Sequence, residues 1–331
     1  MRVLFIGGTG NISTACTRLA LEKGIELFLL NRGISAGSPV EGAKLIRADI
    51  RDAGQVTAAL KNRKFDAVVD WVAYKPDHIK TDIGLFRGNT LHYVFISSAT
   101  VYQKPPAHYL VTESTPLGNP YWQYARDKIA CEEMLNRAFR EEGFPATIVR
   151  PSLTYGETWL PAAIGGHDYT LIDRMKKGGK IIVHGDGQSL WTMTHNTDFA
   201  QGLIGLLGNP IAIGEHYHIT SDEVLSWDSI YRTIGQAAGV DPVLIHIPSE
   251  FINAFDAGIG AGLLGDKAFS AVFDNSKVKL AVPGFQATVL FADGIGRCLE
   301  WFGKDERRKT VSEETNRLMD RIIQAYLKAW P

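Results

Sequence analysis

In the stretch "YARDK", Tyr124 and Lys128 stand four positions apart. On a helix that spacing puts both side chains on one face. A phenol with a pKa near 10 is a poor acid or base at neutral pH. An ammonium held beside it, together with a cationic ring, stabilises the phenolate and lowers that value. Such a pair can exchange a proton with a substrate hydroxyl while hydride moves to or from a nicotinamide. Among 11 tyrosines it is the only Y-x-x-x-K in the chain. Chance alone would supply about half a match, so position has to carry the argument. The pair follows "FISSATVY", where Ser98 closes a strand-like run and its hydroxyl could hold the reacting oxygen.

A nicotinamide needs a place for its phosphates, and "GGTGNIS" (Gly7 to Ser13) offers one. The spacing is that of a dinucleotide-binding loop with Ser13 at the third glycine position. The loop falls between an apolar first strand and a helical pattern, where backbone N–H groups and a helix's positive end can receive a pyrophosphate. Gly7 permits the tight turn, Gly10 lets a phosphate approach, and serine at the third position loosens helix–strand packing without blocking it. A plain strand-to-helix turn is the competing reading.

The second strand ends in Asn31-Arg32 where an acid commonly takes the ribose hydroxyls. Asn31 keeps hydrogen bonding without a charge that would repel a 2′-phosphate, and Arg32 could pair with that phosphate. This favours NADP over NAD, against a reading of Arg32 as a solvated strand end. In "ADIRD", Asp49 at a strand's carboxyl end could meet an adenine amino group, with Ile50 packed on the ring. A surface turn is the alternative.

The elements that must position these groups alternate short apolar runs with helical patterns, the rhythm of a parallel sheet covered on both faces. "RVLFIG", "IELFLLNR", "KLIRADI", "FDAVVDWVA", "HYVFISSA" and "ATIVRPS" read as six strands, and their nearly continuous apolar character suits burial on both sides. Helices are expected over Ser13–Lys23 and from about Tyr124 to Glu142. Beyond Tyr155, "GETWLPAAIGGHDY" is loop-like. "HNTDFAQGLIGLLG" reads as a helix capped by Asn196 or Thr197, and "GEHYHITS" as an added edge strand. "SEETNRLMDRIIQAYLKAW" reads as a final helix with a cap-like serine.

Composition narrows the function classes. The 331 residues are 45% hydrophobic and 21% charged with a formal net charge of −1, so nothing draws the whole chain to nucleic acid or an anionic membrane. Cys16, Cys131 and Cys298 lie far apart, which speaks against a disulfide framework or a zinc site. No apolar run approaches membrane-spanning length and Gly7 follows directly on "MRVLFI", so a cytoplasmic location is the expectation.

With "GGTGNI", "ADIRD", "SSATVY", "YARDK", "VRPSLTYG" and "HGDGQSLWTMTHNTDFA" in one chain, the sequence resembles the extended short-chain dehydrogenase/reductases, the NAD-dependent epimerase/dehydratase family. The resemblance covers at least Met1 to Phe199 and more weakly the rest. It implies an α/β fold with a doubly wound parallel (Rossmann) sheet and a smaller C-terminal substrate lobe. The cofactor domain would span 1–155 plus about 190–222, and the lobe about 156–189 and 223–331. It implies Tyr124 as acid/base, Lys128 on the nicotinamide ribose, and Ser98 orienting the substrate oxygen. Pro151 and Ser152 would lie beside the nicotinamide, and Asn11, Ile12 and Ala73 are further cofactor candidates. A homodimer is also implied.

Departures from the family pattern bear on substrate. Where 4,6-dehydratases carry an Asp-Glu pair, this chain has Ala99 and Thr100, so dehydration lacks its acid and base. Leu153 replaces an asparagine, and Trp191 an arginine that pairs a nucleotide-sugar diphosphate; both changes argue against a UDP- or dTDP-sugar. Thr100, Leu153 and Trp191 remain substrate-side candidates, though for Trp191 plain packing is the favoured reading over stacking on a sugar face or apolar ring. His167 and Asp168 could border the cleft, or be solvated loop residues. His195 and Asp198 read as structural, and "RMKKGGK" as a solvated helix end.

Two functions of different class follow. One is an NAD(P)-dependent oxidoreductase or epimerase acting on a hydroxyl or keto carbon of a small, sugar-like substrate. The other is a non-catalytic relative that senses cofactor or binds RNA, as some plant chloroplast members do; the deviant glycine loop motivates it, and the absence of basic bias makes nucleic acid an unexpected partner.

Overall fold

The computed structural model describes residues 1–33, 40–61, 63–166 and 168–329. Seven parallel strands form one sheet: β1 (Arg2–Ile6), β2 (Glu26–Asn31), β3 (Lys44–Arg47), β4 (Ala67–Asp70), β5 (Tyr93–Ile96), β6 (Ala146–Pro151) and β7 (His216–Ile219), in spatial order β7-β6-β5-β4-β1-β2-β3. The order reverses at β1, where β4 lies on one side and β2 on the other. Strand carboxyl ends diverge there and open a crevice. The edge strand expected in "GEHYHITS" is β7, parallel to β6.

Alternation along the strands feeds two cores. Val3 and Phe5 face one layer with helices α1 (Ser13–Glu22) and α5 (Asn196–Leu206). Leu4 and Ile6 face the other, with α2 (Ala53–Ala59), α3 (Pro76–Phe86) and α4 (Gln123–Glu142). Each fully buried side chain of this kind contributes about 1.5–3 kcal/mol. The remaining chain packs in two further apolar clusters around Trp191, Trp227 and Phe291 and around Ile247, Ile252 and Ile322. Here the strands are short pairs, such as Ile181–His184 with Leu244–Ile247. Among the described residues no helix is long and apolar enough to cross a membrane. Cys16, Cys131 and Cys298 are buried and free.

Three sequence expectations are corrected. The cap of α5 is His195, whose ring nitrogen accepts the Thr197 N–H. Asn196 is already the first residue inside the helix, and its side-chain amide donates to the Asn11 carbonyl at 2.8 Å. The basic stretch "RMKKGGK" is not simply solvated. Arg174 is mostly buried and donates to the Lys180 carbonyl and to Asp320 of the last helix (Glu313–Ala329). Asp168 accepts the Thr170 N–H at the start of helix Thr170–Lys176, a local structural use; His167 lies outside the described residues.

Candidate active site

The crevice is a cleft of about 1030 Å³ along the carboxyl edge of the sheet. Gly7, Gly10, Asn11 and Ile12 line it from the β1–α1 loop, and Asn31 and Arg32 from the end of β2. Asp49 and Ile50 follow from the turn after β3, and Pro151, Ser152 and Leu153 from the end of β6. Ser98, Tyr124 and Lys128 meet at its inner end. Ala73 does not line it; this fully buried residue instead offers its carbonyl to Lys128.

The glycine loop shows why serine is tolerated. Gly7 and Gly8 have φ of 99° and 97°, a region that penalises any Cβ. At Gly8 an added Cβ would stand 2.7 Å from Leu29, so this glycine, absent from the sequence-derived contacts, is the more constrained of the two. Ser13 is turned inward, and its Oγ accepts the Gly10 N–H at 2.8 Å. Thr17 adds a hydroxyl bond to the Gly8 carbonyl at 2.8 Å. A side-chain clasp therefore replaces close glycine packing. No side chain caps the first turn of α1 and no acid stands in it; the Thr14 N–H bonds the Gly10 carbonyl, and the positive end of the helix faces the cleft uncompensated by any carboxylate of that turn.

Helix α4 carries the chemical pair. Lys128 is 1% exposed, and its Nζ donates to the carbonyls of Ala73 (2.7 Å) and Ile96 (2.8 Å). An ammonium has three donors, so one remains for a ligand hydroxyl. Burial lowers this lysine to about 8. Tyr124 lies within side-chain hydrogen-bonding reach of Ser98, and burial pushes its phenol up to about 12. The ammonium is anchored on two carbonyls with Nζ 5.8 Å from the Tyr124 ring centre, and desolvation governs the phenol. Below α4, Arg150 of β6 pairs with Glu132 through two bonds of 2.6 and 3.0 Å. Ser97 donates to the same carboxylate. This buried brace fixes α4 against the sheet.

A second pocket of about 240 Å³ opens on the other side of Tyr124 and shares Ser98, Pro151, Ser152 and Leu153 with the cleft. Thr100 and Trp191, expected on the substrate side, line it. Thr100 donates its hydroxyl to Ser98 at 3.0 Å. Trp191 is buried against Trp227, and its indole nitrogen has no hydrogen-bond partner. The sequence reading missed Trp122, Asp266 and Lys267. The last two sit on a π-helical turn, Leu263–Lys267, with Lys267 Nζ 3.5 Å from Asp266 Oδ2. Asn119 ties the turn down: its amide donates to the carbonyls of Gly265 (2.7 Å) and Thr100 (2.9 Å), and its oxygen accepts the Trp122 N–H. Signals for it were weak: an isolated asparagine and an Asp-Lys dipeptide in a glycine-rich stretch.

A model of the NAD dependent epimerase/dehydratase family matches residues 3–220. The chain belongs to that family. This family member is 25% identical over 290 residues to the 2'-dehydrokanamycin reductase of Streptomyces kanamyceticus, covering 86% of this chain and 80% of the relative. It is 24% identical over 265 residues to the chloroplast stem-loop binding protein of 41 kDa b of Arabidopsis thaliana, covering 76% and 67%. Among solved structures, the dTDP-glucose 4,6-dehydratase DesIV of Streptomyces venezuelae, with NAD and TYD bound, superposes with a TM-score of 0.73 at 22% identity, over 93% of this chain and 98% of that one. The protein is thus an enzyme of the extended short-chain dehydrogenase/reductase type, with the fold expected from its strand rhythm.

Proposed function

We propose that the protein is an NADP(H)-dependent oxidoreductase acting on a hydroxyl or keto carbon of a small, sugar-like substrate. One observation carries the reading: Ser98 and Tyr124 line both the large cleft and the small pocket, and Lys128 lines the cleft beside them. The residues fit a dinucleotide. The uncapped first turn of α1 would take the pyrophosphate, the spare Lys128 donor a ribose hydroxyl, and Ile50 and Asp49 the adenine side. Arg32, with Arg47 at the register position opposite Asn31, supplies positive charge where a 2′-phosphate would stand, and no acid ends β2.

A bound nicotinamide supplies or accepts the hydride. Ser98 holds the substrate oxygen, and Tyr124 gives a proton to it in reduction or removes one in oxidation. Burial pushes the phenol up to about 12, so it carries its proton at neutral pH, the form that reduction draws on. Ala99 and Thr100 bring no acid–base pair for loss of water and Trp191 and Leu153 no charge for a diphosphate; the pocket's ammonium, Lys267, already faces the Asp266 carboxylate at 3.5 Å. Titration of the purified chain with NADPH and NADH, followed by nucleotide fluorescence, tests the reading. Saturable binding, tighter for NADPH, is expected; no binding of either nucleotide ends it.

The Arabidopsis relative favours a second reading, RNA association without catalysis. Unchanged RNA mobility in a gel shift at low salt would count against it. Retardation that fades steeply with salt would support it.

A further inference from the structure

Beneath the loop after β4 lie two carboxyls to which no cation among the described residues is bonded. Asp70, the last residue of β4, and Asp82 on α3 are both fully buried. Asp70 Oδ1 accepts the N–H groups of Val72 (2.5 Å) and Ala73 (2.8 Å). Asp82 Oδ2 accepts the Tyr93 hydroxyl at 2.7 Å. The other oxygens, Asp70 Oδ2 and Asp82 Oδ1, are sealed from water and meet no N–H or O–H group. The two side chains lie within hydrogen-bonding reach of each other. Arg51, the positive charge that acts on Asp82, has its guanidinium on the Val72 carbonyl.

Two ionised carboxylates in contact, out of water, are strongly disfavoured. One proton between them turns two orphaned acceptors into a donor and an acceptor. We propose that Asp82 stays protonated and donates to Asp70, and that the single negative charge kept on Asp70 positions Lys128 and holds it as an ammonium. Burial first, then the charge of Asp70, drive Asp82 well above the usual carboxyl range, which places the proton on Asp82.

The path to Lys128 is short. Asp70 fixes the N–H of Ala73, and the carbonyl of Ala73 receives Lys128 Nζ. The groups facing that ammonium are Asp70 from β4, the rings of Tyr74 (4.9 Å), Phe95 (4.6 Å) and Tyr124 (5.8 Å), and Cys131 and Glu132 on its own helix. Glu132 is neutralised by Arg150. Burial pushes the Cys131 thiol to about 12, so it stays uncharged at neutral pH. Asp70 is therefore the uncompensated negative charge that opposes the desolvation of Lys128. Asp82 and Tyr93 are positioning residues behind it. The role of this ammonium in binding cofactor rests on the function proposed above; its protonation does not.

Two spectroscopic readouts on the full chain need no cofactor. Infrared difference spectra of wild type against Asp82→Asn at neutral pH should show the C=O stretch of a protonated carboxylic acid in the wild type alone. In NMR titrations of chain labelled at lysine Cε, with the Lys128 signal assigned by Lys128→Met, Asp82→Asn should keep the wild-type midpoint within about 0.3 pH unit, because its amide still donates to Asp70. Asp70→Asn should lower that midpoint by about one unit or more. NADPH affinity measured across pH should weaken in the same order. Absence of the carboxylic-acid band, or equal Lys128 midpoints in Asp70→Asn and wild type, overturns the proposal. Should Asp70→Asn not fold, the infrared band and the Asp82→Asn midpoint still decide. A failure to bind NADPH counts against the proposed function and leaves the two spectroscopic outcomes standing.

Discussion

The cofactor cleft and the pocket beyond Tyr124 share Ser98, Tyr124, Pro151, Ser152 and Leu153, yet they are assembled differently. The cleft is cut into one continuous edge of sheet. Its walls are the loops that leave consecutive strands, and much of its chemistry is backbone: the uncapped turn of α1, the positive-φ glycines, the carbonyls under Lys128. The pocket gathers side chains from positions as distant as Thr100, Trp191 and Lys267, and a single buried asparagine, Asn119, clips the distant segments together. A backbone site tolerates sequence change, as Ser13 shows. A side-chain site is rewritten by it, as Leu153 and Trp191 show. Under the proposed function, the first would fix what cofactor chemistry is possible and the second what is admitted to it.

Tyr124→Phe tests the point where the two regions meet and should have the largest effect. Loss of the proton donor should cut kcat by about 10²- to 10⁴-fold while NADPH affinity stays nearly unchanged. Asp266→Asn probes the pocket alone. Removing a buried charged acceptor should raise KM by about tenfold or more and spare nucleotide binding; an equal loss of NADPH affinity would show that the two regions are not separable. Arg32→Ala probes the cleft alone. NADPH binding should weaken by about tenfold and NADH binding stay as it was, measured by the same fluorescence titration.

The smallest effect expected is a pH dependence. Burial lowers His184 to about 4, below the ordinary value of 6.5. Folding therefore favours its neutral form. Its contribution is fully present above pH 6.5 and is lost as pH falls toward 4. Its Nε2 holds the Lys267 carbonyl at 2.9 Å, while its Nδ1 is buried without a partner. Protonation of the folded form should loosen the π-turn, so KM should climb only as pH approaches 4, whereas stability already falls below pH 6.5. His92, also lowered to about 4, braces the sheet through Thr147 and Gly208. It adds a loss of thermal stability over the same window, seen as a falling melting temperature.

How much of this was legible in the sequence follows the same division. Strand runs, the glycine loop and the Tyr124/Lys128 spacing are local patterns, and the structure places each at the cleft. What escaped was set by contacts across the fold. The cap of α5 falls on His195, with Asn196 inside the helix and its amide held across the fold by the Asn11 carbonyl. The two carbonyls that hold Lys128 are reachable only in three dimensions. Asp266 and Lys267 face Tyr124 through a π-turn that no periodicity announces, and Asp70 and Asp82 read as ordinary acids until the fold seals them from water.

The most direct measurement is a crystal structure of the chain grown with NADP⁺. The account predicts the pyrophosphate on the first turn of α1, the 2′-phosphate by Arg32, and the nicotinamide between Lys128 and the Tyr124 hydroxyl, its reactive face toward Trp122 and Asp266. A nucleotide bound elsewhere, or a nicotinamide pointing away from Tyr124, would contradict it.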